Sequence, residues 1–211
     1  MAINYTVKSG DCISSIAFEQ GFSPETIWNH PNNTTLKNKR NDPNILMAGD
    51  IVFVPDKQIK EVSEPTSQVY KFKCKTSPVK LNLHLLDDGE PIANEPFMID
   101  IDGKITEGVT DGQGKIKISI LPNAKKGNLV VGEVNSQIKY DLNLGKLAPI
   151  GEVSGIKKRL HNLGYKVGIL DETINEQLEN AIAEFEFDHN LTQTGEITET
   201  NRAKLLEIYG C

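Results

Sequence analysis

The chain has 211 residues, more than one typical domain of ~150 residues, which leaves the count open between one and three, and its 38% hydrophobic and 25% charged content excludes disorder along the whole length. Aromatic residues make up only 6%, so every core must be mostly aliphatic. Twenty-three basic against twenty-nine acidic residues give a net charge of −6, the wrong sign for neutralising phosphates, which argues against nucleic acid and anionic membrane surfaces as partners.

In chain order, the start Met1-Ala2-Ile3-Asn4-Tyr5 has neither the basic nor the apolar region of a signal peptide. No apolar run approaches the ~18 residues needed to cross a bilayer, so a soluble protein made in the cytoplasm is expected. Tyr5-Thr6-Val7 reads as a short strand. Ile13, Ile16 and Ala17 mark one face of a helix that stops at Gly21. Ser23-Pro24 opens a second helix, serine as N-cap and proline at the first helical position. Ile51 to Val54, before Pro55, is a closing strand, so residues 1–55 read strand, helix, helix, strand. Residues 56–69 are polar and aperiodic, as a linker would be.

From residue 70 to 148 the period becomes two: Leu81, Leu83 and Leu85, then Phe97, Ile99 and Ile101, then Ile116, Ile118 and Ile120. Turn signals at Asp88-Gly89, Asp102-Gly103 and Asp111-Gly112 place glycine where tight turns demand a positive φ. A β-sandwich is expected here. A second break comes at Gly145 to Gly151, and residues 149–211 are helical. Val153, Ile156, Leu160 and Leu163 share a face; Leu178, Ala181, Ile182 and Phe185 share another behind Asn175 as N-cap. A last helix runs from near Thr198 through Leu205 and Tyr209 to Gly210, placed as a C-cap. The fold class expected is multidomain α+β: a βααβ module, an all-β sandwich and a small three-helix bundle.

Four resemblances follow from these residues. YTVKSGD at Tyr5 to Asp11, Ile16-Ala17 and AGDIVFVP at Ala48 to Pro55 resemble a LysM domain. The resemblance implies a shallow groove for N-acetylglucosamine polymers such as peptidoglycan. Its lining would be Gly10, Asp11, Cys12 and Ile13 on one side and Asn44, Ile45, Leu46 and Met47 on the other. Cys12 stands where the pattern usually has serine or threonine, and His30 to Pro43 is longer than in a minimal LysM. Ile156, Leu160, Leu163-Gly164-Tyr165, Asp171, Ala181-Ile182, Phe185 and Thr194-Gly195-Glu196-Ile197 are similar to a three-helix peptidoglycan-binding domain. Glu186 there replaces a common glutamine, and Glu172 and Asn175 replace glycines. The turn Thr110-Asp111-Gly112-Gln113-Gly114 resembles transthyretin-like and immunoglobulin-like sandwiches, a likeness that implies no function. The whole order resembles accessory proteins encoded beside type VI secretion spike components.

Catalytic groups are sparse. His30, His84, His161 and His189 fall in three different segments, so no two are predicted to converge. Asp100 and Asp102 are too few for a calcium loop. Cys12 lacks a histidine partner nearby, Cys12, Cys74 and Cys211 have no metal-ligand spacing, and Trp28 reads as core. The expectation is a non-enzymatic glycan-binding protein with no cofactor and no metal, made in the cytoplasm and delivered by a contractile machine. Its protein partners would be a spike or PAAR-like tip, or a toxin. The alternative is a structural adaptor of an injection machine or phage baseplate whose LysM fold binds protein.

Overall fold

The computed structural model describes residues 1–58, 68–71 and 78–210. Most of the expected linker, together with Cys74 and Cys211, lies outside the described residues. The chain divides into two compact units, residues 1–44 with 48–145, and residues 45–47 with 146–211. Mixed helical and strand content, with several small sheets, fits a multidomain α+β protein.

In the N-terminal part, β1 (Ile3–Thr6) pairs antiparallel with β2 (Ile51–Val54), Tyr5 opposite Val52. Between them come α1 (Ile13–Gln20) and α2 (Pro24–Trp28). Helix α1 ends at Gly21 with φ 69°, a conformation that favours glycine. Helix α2 starts where expected, the Ser23 hydroxyl accepting from the Thr26 N–H ahead of Pro24. A third helix, α3 (Thr34–Arg40), follows a 3-10 turn at Pro31–Asn33, within the stretch that sequence marked only as an insertion. Asn33 explains why this stretch is ordered. Its buried amide nitrogen donates to the carbonyls of Ile27 and Phe53, both at 2.8 Å, and its oxygen accepts from the Phe53 N–H at 2.8 Å. One side chain thereby satisfies backbone groups of α2 and β2. Arg40 adds a two-pronged pair with the buried Asp50, at 2.7 and 2.9 Å.

The middle part contains β3 (Val79–His84), β4 (Leu86–Asp87), β5 (Glu90–Pro91), β6 (Pro96–Ile101), β7 (Lys104–Val109), β8 (Lys115–Ile120), β9 (Lys126–Val131) and β10 (Ile138–Asn143). One four-stranded antiparallel sheet has the order β10-β9-β6-β7, and β3 pairs with β8 in a second sheet. Alternation sends Phe97, Ile99, Ile101, Leu129 and Val131 inward from the first sheet. They share a core with Ile116 and with the half-buried Leu81, Leu83 and Ile118 from the second. Asp88-Gly89 and Asp102-Gly103 make two-residue turns with positive φ at both residues, as expected for hairpins. The third turn differs: the positive φ falls on Gly114 (70°), not on Gly112. Asp111 causes the shift, because its Oδ1 accepts from the Gln113 and Lys115 N–H groups at 2.8 and 2.9 Å and carries the bend two residues further. A Cβ at Gly114 would lie 2.5 Å from the Leu85 carbonyl oxygen.

The C-terminal part holds α4 (Val153–Asn162), α5 (Glu176–Asp188) and α6 (Glu199–Tyr209). Asn175 and Thr198 cap α5 and α6 from their side chains, and Gly210 closes α6 at φ 88°. The helices enclose Ile156, Leu160, Leu178, Ala181, Ile182, Phe185 and Leu205. Residues 146–151, read from sequence as a break, are part of this packing. The Arg159 guanidinium donates to the Ala148 carbonyl at 2.8 Å, and Ile150 lies against the core. Gly155 makes that approach possible, since a Cβ there would fall 1.9 Å from the Pro149 carbonyl oxygen.

Candidate functional site

The loop after β1 builds the first of the two surfaces singled out by sequence. Gly10, with φ 90°, turns the chain so that the Asp11 carboxylate folds back beneath the loop. Asp11 is only 5% exposed, and its Oδ2 accepts from the Tyr5 hydroxyl at 2.8 Å and the Lys8 N–H at 2.9 Å. Burial and this bond to Asp11 push the Tyr5 hydroxyl up to about 12. Asp11 is thus an organiser of the wall more than a side chain offered to a ligand. Cys12 is the N-cap of α1: its Sγ accepts from the Ser15 N–H at 3.4 Å, while the Ser15 hydroxyl accepts from the Cys12 N–H at 2.9 Å. The thiol takes the place of a capping hydroxyl, which accounts for its position in the pattern. Ile13 is fully buried.

The structure brings this loop to Pro43 and Asn44. The Ile13 N–H donates to the Pro43 carbonyl at 2.9 Å, and the Ser14 hydroxyl lies 3.5 Å from the exposed Asn44 amide oxygen. Ile45 and Leu46 are each 7% exposed, and Met47 is half-buried. Of the eight candidate residues, then, Asn44 is exposed, Gly10, Cys12 and Met47 are half-buried, and Asp11, Ile13, Ile45 and Leu46 are buried. Trp28 is core, with Lys37 Nζ 5.9 Å above its ring.

The second candidate surface is held by carboxylates. Glu186 is fully buried and accepts four hydrogen bonds: the Thr194 N–H and hydroxyl at 2.6 Å, the Gly195 N–H at 2.9 Å and the Asn201 amide at 2.8 Å. Burial alone would raise its pKa, but these donors outweigh burial and hold it below the ordinary value. Its charge is spent inside the module, stapling the loop before α6 to α5. Glu172 accepts from the Ser154 N–H and hydroxyl, and so satisfies the start of α4 from across the module. Asp171 is held down at about 2 by the Lys157 ammonium, 2.7 Å away, and by Thr173. Lys157 and Arg159, both fully buried, were invisible to a reading of apolar periodicity. Their only sequence signal was two cations one turn from buried aliphatic positions.

Residues 5–55 match the LysM domain family, and residues 151–205 match a putative peptidoglycan binding domain. The two matches together support peptidoglycan binding. No curated protein matches the chain, and no solved structure does.

Elsewhere, His30 and His189 each have local partners. His30 Nδ1 accepts from the Asn32 N–H at 3.2 Å and its ring lies 4.6 Å from that of Phe53. His84 is exposed on β3, and His161 lies in the last turn of α4. His189 follows α5 against Phe185 at 4.6 Å, and burial lowers its pKa, with Lys204 adding to the shift. Asp100 and Asp102 are engaged in the β6–β7 turn and its surroundings, accepting from the Gly103 and Lys125 N–H groups. Among the described residues no three His, Cys, Asp or Glu side chains are grouped to hold a metal ion, and no helix is long and apolar enough to cross a membrane.

Proposed function

We propose that the protein is a non-enzymatic binder of peptidoglycan or another N-acetylglucosamine glycan, acting as an accessory or cargo-associated protein of a type VI-like contractile secretion system. It would be synthesised in the cytoplasm and meet the wall after delivery. The observation that carries this reading is the pairing of two envelope-glycan families, one at each end of a single chain. Two weak sites on one chain gain from effective concentration, the physical reason to carry both. The glycan site in this reading is Gly10, Asp11, Cys12, Ile13, Asn44, Ile45, Leu46 and Met47. An N-acetyl group offers one donor, one acceptor and a methyl, which suits a wall built from backbone groups with few available side chains. The middle part, read as a transthyretin- or immunoglobulin-like spacer, contributes no chemistry.

A second reading, a machine adaptor that binds protein, draws on the outer face of the four-stranded sheet. There Met98, Ile105 and Val109 are exposed on neighbouring strands at the β7 edge. Sedimentation with purified peptidoglycan, run beside capture from lysate of the producing cell and assay of the medium in sheath-competent and sheath-deficient strains, separates the two. Retention on peptidoglycan with sheath-dependent release is the expected result. A protein that ignores peptidoglycan and co-purifies with a spike would sink the glycan reading, and export unchanged without the sheath would sink the delivery route.

A further inference from the structure

The first wall of the candidate groove is in contact with the middle part of the chain, inside the same compact unit. Two contacts make this junction. The Lys125 ammonium, on the loop between β8 and β9, lies 3.4 Å from Asp11 Oδ1. Gly145, just past β10 with φ 70°, comes so close to Gly10 that a Cβ on it would fall 2.8 Å from the Gly10 carbonyl oxygen. Both contacts fall on the two residues that open the candidate wall. The Leu144 N–H donates to the Lys125 carbonyl at 3.0 Å, which ties loop and strap together. A glycan held by the Gly10-Asp11 wall would meet the Gly10 carbonyl and the space beside Asp11, where strap and loop already sit.

We propose that the β8–β9 loop and the strap through Gly145 form an intramolecular lid on the LysM groove, so that glycan binding and lid closure compete for the Gly10-Asp11 wall. This inference rests on the groove being the glycan site. Its energetics are modest by construction. The ion pair is exposed on the lysine side and buried on the Asp11 side, but Asp11 keeps its bonds from Tyr5 and Lys8 when Lys125 leaves, so the lid opens at modest cost. The apparent affinity of a closed groove is its intrinsic affinity reduced by the open fraction. The device is therefore a threshold: dense, multivalent glycan opens it, while a short soluble fragment binds weakly.

The test is a titration of the full chain with a soluble chitin oligomer, followed by amide shifts, comparing wild type, Lys125→Glu and Lys126→Glu. The first substitution sets a like charge against Asp11 and leaves the loop backbone bonds intact. The second makes the same charge change one residue away, on an exposed lysine outside the junction. Expected is a gain of about two- to fivefold in affinity for Lys125→Glu alone, with the Gly145 amide shifting on saturation of the wild type. Equal binding by all three proteins at Gly10 to Ile13 overturns the lid and keeps the groove. Absence of any shift in the LysM residues, in all three, overturns both the groove and the lid.

Discussion

Each end of the chain is organised by a buried carboxylate, but the two do so in opposite settings. Asp11 lies under a surface loop, with one oxygen satisfied by Tyr5 and Lys8 and the other reached by a half-exposed lysine. Glu186 is sealed among four donors from a neighbouring loop and helix. A carboxylate at the rim can shape a binding surface and still exchange partners. One sealed inside can only hold its module together, because leaving any of its donors unmet costs the full desolvation of that group. The contrast predicts an adaptable N-terminal wall and a rigid helical module.

The sharpest way to break the rigid end is steric. Gly155→Val should unfold the helical module outright, since the added atoms meet the Pro149 carbonyl, and the expected loss exceeds about 3 kcal/mol. Amide spectra should then lose the signals of residues 146–210 and keep those of β1 and β2. Next in size is the matched pair Glu186→Gln and Asp11→Asn. The first turns an amide NH2 toward donors and should cost about 2–3 kcal/mol; the second keeps an acceptor for Lys8, lets the Tyr5 hydroxyl rotate, and should cost about 1 kcal/mol. Urea unfolding of the two variants checks the ranking, and equal losses would erase the distinction between rim and seal.

The same contrast appears in acid. Glu186 and Glu172 titrate below 4.5 in the folded chain and Asp171 is lowered from 3.8 to about 2, so the unfolded chain takes up these protons first. Their contribution is present above about pH 4.5 and is lost as pH falls toward 2. His189, lowered from 6.5, works in the same direction from a higher starting pH. Tyr5 works the other way: raised from 10.0 to about 12, it stabilises the folded state below pH 10 and loses that contribution as pH climbs to 12. Melting followed residue by residue should show the helical module weakening first in acid, whereas in base both ends weaken, because burial and a hydrogen bond to Asp188 also raise Tyr165 in the helical module. The smallest expected effect is Cys12→Ser, which replaces a weak thiol cap at 3.4 Å with a hydroxyl and should stabilise α1 by about 0.5 kcal/mol, read from a thermal melt.

What could be read from sequence was local. Ser23, Asn175 and Gly210 cap the helices they were expected to cap, α1 stops at Gly21 and α6 starts at Thr198 as expected, and two of three Asp-Gly signals became hairpin turns. These depend on a residue and its next few neighbours. Asn33, Gly155 and the buried cations Lys157 and Arg159 were missed because their partners lie outside the local pattern: Phe53, Pro149, Asp171 and Ala148. Of the candidate site, the turn at Gly10 and the cap at Cys12 were accessible to pattern. The engagement of Asp11 by Tyr5 and Lys125 needed the tertiary fold, since a carboxylate beside glycine reads equally as a solvated turn.

The pairing of β3 with β8 sets the order of assembly. Val79 meets Ile120 and His84 meets Lys115, so this contact closes only after the chain has threaded β4 to β7 between them, whereas β6 and β7 close across two residues. Loop-closure entropy delays the first pairing and favours the second. The nucleus of the middle part should accordingly contain the β6–β7 hairpin, with β8 docking late. In stopped-flow unfolding and refolding, Ile116→Val should then speed unfolding with little change in refolding, and Ile99→Val should slow refolding. The reverse pattern would place the long-range pair in the transition state.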